Sequence, residues 1–132
     1  IYWVDRVAVG ERLSQISGLP YHREHGESPD GTPIEARRGA SVIASIQANS
    51  VGRNLQAWSH NVVLTPPQSG RGWEQLIART HRPGQLADDV RFDVLVAHPT
   101  IRRQLDGAIK KAKFIREISG QDQKILLADI VE

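Results

Sequence analysis

Apolar residues gather in four short runs of strand length, Ile1–Val4, Ser41–Ile46, Asn61–Thr65 and Phe92–Ala97, separated by polar stretches. Three of them, VIASI, NVVL and DVLVA, are nearly continuous rather than alternating, the pattern of strands covered on both faces. Helical spacing occupies Val7–Ser17 and Gly72–His81, and Leu19–His22 reads as a further short strand. The alternation of strand and helix predicts an α/β fold, a doubly wound parallel sheet flanked by helices with right-handed crossovers.

Over His22–Gly39 the periodicity lapses, and Gly26, Pro29, Asp30, Gly31, Pro33 and Gly39 predict a long polar loop. Beyond the last strand, Thr100–Ser119 sets Ile101, Leu105, Ala108, Ile109, Ala112 and Ile115 on one helix face. A final short helix is expected over Gln121–Val131, which makes 98–132 a helical extension of a single domain spanning 1–132.

Composition narrows the class. A chain of 132 residues buries roughly two-thirds of its unfolded surface without staples. No apolar run approaches the roughly 20 residues of a membrane span, and no signal-peptide pattern is present. The absence of cysteine excludes disulfides and thiolate metal sites, and a cytoplasmic location is the expectation. A net charge of +2 is too small to mark a nucleic-acid binder by itself, so any basic surface must be local. The start at Ile1, without methionine and directly in a strand, leads us to expect a piece of a longer protein.

The chemistry concentrates in EQLIARTHRPGQ, Glu74–Gln85. Gln75, Arg79 and Arg82 follow an i, i+4, i+7 spacing, with Trp73, Leu76 and Ile77 on the opposite face. Pro83 and Gly84 then end the helix and set Arg82 at its exit. Paired arginines suit a polyphosphate. Two cations near a helix C-terminus also complement its dipole, worth only about 0.3–1 kcal/mol. Neither G-x-x-x-x-G-K-[ST] nor G-x-G-x-x-G is present, so the domain lacks a phosphate loop of its own and cannot be a complete NTPase.

Gln75-x-x-x-Arg79-x-His81-Arg82-x-Gly84-Gln85 resembles motif VI of the superfamily-two helicases and translocases in their Swi/Snf-like form. Upstream, Ser45-Ile-Gln-Ala48-Asn-Ser-Val-Gly52-Arg-Asn54-Leu55 resembles motif V of the same family. The likeness spans roughly Ile1–Ala97, is specific over Ser45–Gln85, and is closest in style to phage or prophage helicases. It implies a RecA-like second lobe. Arg79 and Arg82 would be arginine fingers for ATP and Mg bound mainly by an N-terminal lobe, and Gln75 would order the same interface. Gly52 would let the backbone approach the nucleotide cleft, Asn54 would hold the loop, and Ser45 would meet a nucleic-acid phosphate. The chain departs from the pattern at Ala78, Asn49 and Ser50, where glycines are usual, and Thr65-Pro66-Pro67-Gln68 replaces the stretch typical of chromatin remodellers.

The implied partners are the N-terminal helicase lobe of the same protein and DNA, with RNA also open. A membrane is not among them. On the late helix Arg102, Arg103, Lys110, Lys113 and Arg116, with Lys111 at the margin, form a basic face that can follow a nucleic-acid backbone or stand simply as a solvated surface. His22 and His25 lack a third ligand, so no metal site is expected. Trp3, Trp58 and Trp73 read as core. The competing functional class is a degenerate, non-catalytic helicase-like module that binds DNA or a protein; a small stand-alone α/β binding domain is a third reading.

Overall fold

A computed structural model describes residues 1–49 and 53–132. Six strands, β1 (Tyr2–Val4), β2 (Tyr21–His22), β3 (Ile43–Ser45), β4 (His60–Val63), β5 (Arg91–Val94) and β6 (Asp129–Val131), form one sheet in the order β2-β3-β1-β4-β5-β6. Every pairing is parallel. Three helices flank it: α1 (Val7–Ser17), α2 (Gly70–Ile77) and α3 (Pro99–Ser119). The expected α/β class and parallel sheet are what the chain forms.

Direction of travel decides which face each connection covers. From β1 the chain moves to β2, and α1 lies against β1, β2 and β3 over a small core of Val4, Tyr21 and Ile43. Every later crossover runs the opposite way across the sheet, so right-handedness sends α2 and α3 to the other face. There Trp3, Ala44, Val63, Phe92, Trp73, Ile77 and Leu105 form the main core. α1 comes very close to β2. A Cβ on Gly10 would meet the Tyr21 ring at 2.3 Å, so only glycine allows this packing.

Two expectations change. The polar loop after β2 is pinned rather than loose, because Ile34, in a 3-10 turn over Ile34–Arg37, is fully buried in the main core. Gln121–Val131 is not a helix. Gly120 ends α3 in the left-handed region, a 3-10 turn follows at Lys124–Leu126, and β6 pairs with β5. The Glu74 carboxylate accepts the backbone N–H groups of Lys124 (2.9 Å) and Ile125 (3.2 Å), bonds that long-range packing supplies and helical periodicity does not reveal. Residues 98–132 therefore complete the sheet as well as extending the chain. Among the described residues no helix is long and apolar enough to cross a membrane.

Candidate functional site

The site is built on α2 and the turns that follow it. Ser69 caps the helix, its Oγ accepting the Gly72 N–H at 3.1 Å, and Trp73, Leu76 and Ile77 anchor it to the sheet. The helix stops at Ile77, earlier than the expected His81, and continues as hydrogen-bonded turns through Thr80 and His81. Pro83 bars the helix from resuming beyond these turns. Its missing N–H deprives the Arg79 carbonyl of its i+4 donor, and that carbonyl instead accepts the Leu55 N–H at 3.0 Å. The segment after β3 and the arginine segment are thereby joined backbone to backbone.

Gln75 and Arg79 remain neighbours across one turn, whereas Arg82 has left the helix. Arg79 lines a narrow cleft of about 40 Å³ together with Trp3, Ile46, Asn49, Gln75 and Leu76. Its Nε is buried without a hydrogen-bond partner, as is Oδ1 of the fully buried Asn49. Burial, and secondarily the Arg82 charge, hold the Arg79 guanidinium below its ordinary pKa. Among the described residues neither guanidinium forms an ion pair or hydrogen bond. Two adjacent cations without a counter-charge make a local anion-attracting site.

Glutamines fix the loop that follows α2. Gln85 Nε2 donates to Trp58 O (2.8 Å) and Thr80 O (3.1 Å), and Gln56 Nε2 donates to Pro83 O at 3.1 Å. Gln56 was not among the predicted site residues; a polar side chain next to a buried Leu55 offers little sequence signal. The C-terminal segment adds Lys124 Nζ, which reaches the His81 carbonyl at 3.4 Å.

The other predicted residues fall less uniformly. Gly52 lies outside the described residues. Asn54 is exposed and makes no side-chain hydrogen bond to a described residue. Neighbouring Arg53 does, through two 3.1 Å bonds to the Glu35 carboxylate. Ser45 ends β3 almost buried, and its Oγ accepts the Ala48 N–H at 3.3 Å, a local turn cap. Arg102 is engaged with Glu132, and Arg116 lies 3.8 Å from Asp122, which reduces the free charge of the basic face. Lys110 and Lys113 are exposed and without ion partners among the described residues. No described cluster of three His, Asp or Glu residues is suited to a metal.

No protein-family model and no curated protein matches the sequence. The functional reading therefore stands on the residues and their arrangement.

Proposed function

We propose that the chain is the second RecA-like lobe of an ATP-dependent DNA helicase or translocase, contributing arginine fingers to a nucleotide held by an N-terminal lobe. The observation that carries this reading is the uncompensated pair Arg79 and Arg82, half-buried, adjacent, and tied through the Arg79 carbonyl to Leu55. Unpaired guanidinium groups suit the charge that spreads over a transferring phosphoryl group. The described residues offer no acidic cluster for Mg, and the sequence holds no phosphate loop, so both functions fall to the other lobe. ATP, when bound, supplies the phosphoryl group; this chain's part is to present and orient the donors. Lys110 and Lys113 are the free cations proposed to follow the nucleic-acid backbone.

In the full-length protein, Arg82→Ala should lower nucleic-acid-stimulated ATP hydrolysis by roughly 10³–10⁵ while leaving the circular dichroism spectrum unchanged. An unaltered rate in a folded variant refutes the finger role.

A further inference from the structure

A second concave feature lies on the far side of the arginine helix. Between α2 and α3 runs a groove of about 310 Å³ whose floor is formed by Ala108, Ala112 and Ile115 of α3 with Ile125 of the following turn. Small side chains at Ala108 and Ala112, one helical turn apart, keep the floor low. The apolar strip continues past the groove through Ile118, 70% exposed, one turn beyond Ile115.

The rim decides what fits. Arg71 of α2 and Lys111 of α3 both line the groove, both are exposed, and neither has an ion partner among the described residues. The carboxylate beside them, Glu74, is already committed to the backbone N–H groups of Lys124 and Ile125. The unspent charge facing the groove is thus wholly positive. An aliphatic floor without aromatic platforms is ill suited to bases, which bind single strands by stacking. It is well suited to apolar side chains at i and i+4 of a helix.

We infer that this groove docks an acidic amphipathic helix of a partner protein, its apolar face on Ala108, Ala112 and Ile115 and its flanking carboxylates on Arg71 and Lys111. This inference is independent of the helicase reading, because it concerns the opposite wall of α2 and needs no nucleotide. An occupant there nevertheless presses on the helix that leads into Arg79 and Arg82.

The test uses a fluorescein-labelled model peptide of roughly 20 residues, long enough to be helical, with leucines on one face and glutamates on the flanks. A lysine-flanked counterpart and an oligothymidylate serve as competitors, and binding to the chain is read by fluorescence anisotropy. The acidic peptide should bind at least about tenfold more tightly than the basic one, and the double change Arg71→Glu with Lys111→Glu should reverse that order. Amide chemical shifts should move at Ala108, Ala112 and Ile125. Equal binding of the two peptides, or a preference that survives the charge reversal, overturns the proposal. Binding of the oligothymidylate alone, lost on charge reversal, replaces it with a nucleic-acid surface.

Discussion

Asn61 Oδ1 accepts the indole N–H of Trp3 at 2.9 Å, while Asn61 Nδ2 donates to Thr80 Oγ1 at 3.2 Å and to the Arg91 carbonyl at 3.3 Å. One fully buried amide thus ties β1, β5 and the turn between the two arginines to β4. Threonine 80 is itself fully buried, so the spacing of Arg79 and Arg82 is set from within the core.

Asn61→Ala leaves the Trp3 and Thr80 groups buried with their partner removed. Each such orphan costs about 1–3 kcal/mol, so the variant should lose about 2–6 kcal/mol of stability. Urea unfolding should show a lowered midpoint with an unchanged slope. A loss under about 0.5 kcal/mol would mean that water or a neighbour replaces the amide.

Arg79 is predicted to be a stability liability. Its guanidinium is partly desolvated, repelled by Arg82 and without a counter-ion among the described residues, yet the residue lines an apolar cleft with Trp3 and Leu76. Arg79→Met keeps that packing and removes the charge. Stability should rise by up to about 1 kcal/mol, discounted for the solvent that still screens the group, while any activity depending on the finger is lost. A clear fall in thermal midpoint would show that the guanidinium contributes to the fold.

The sheet was legible because β1, β3, β4 and β5 fall on or overlap short apolar runs packed on the core. β6 was hidden. Asp129–Val131 holds only three residues, and the bonds that divert the chain before it come from Glu74, some 50 positions upstream. The arginines were legible through their spacing and Pro83, but the helix they were assigned to ends at Ile77, where the Arg79 and Thr80 N–H groups turn to the i−3 carbonyls of Leu76 and Ile77. Ser45 and Arg102 looked available as residue types; a turn cap and an ion pair with Glu132 occupy them. Such pairings depend on tertiary proximity, which spacing along a chain does not encode.

Glu74 is the hinge of the C-terminal segment. Removing its carboxylate strands the Lys124 and Ile125 N–H groups and loosens the turn that carries Lys124 to the His81 carbonyl. Glu74→Ala should cost about 1.5–3 kcal/mol, and Glu74→Gln, which retains an acceptor oxygen, less. Hydrogen exchange should speed up over residues 124–131 and over residues 79–85 in the alanine variant. Exchange confined to residues 124–131 would uncouple the segment from Arg79 and Arg82.

His22 gives the fold a pH dependence of definite sign. Its ring is fully buried, Nδ1 lies 3.0 Å from the Gly26 carbonyl, and Arg37 Nε donates to Nε2 at 3.4 Å, an arrangement that requires the neutral ring with the proton on Nδ1. Burial lowers its pKa from the ordinary 6.5; the Gly26 carbonyl opposes the shift, Arg37 adds to it, and Asp30 and Glu35 moderate it. The unfolded chain therefore binds the proton first as pH falls. This contribution to stability is complete above about 6.5 and declines below it until the folded pKa is passed. His22→Gln should flatten the stability profile below about 6.5. Urea midpoints measured in half-unit steps from pH 5 to 8 provide the check, and parallel wild-type and variant curves below 6.5 would remove His22 as the titrating group.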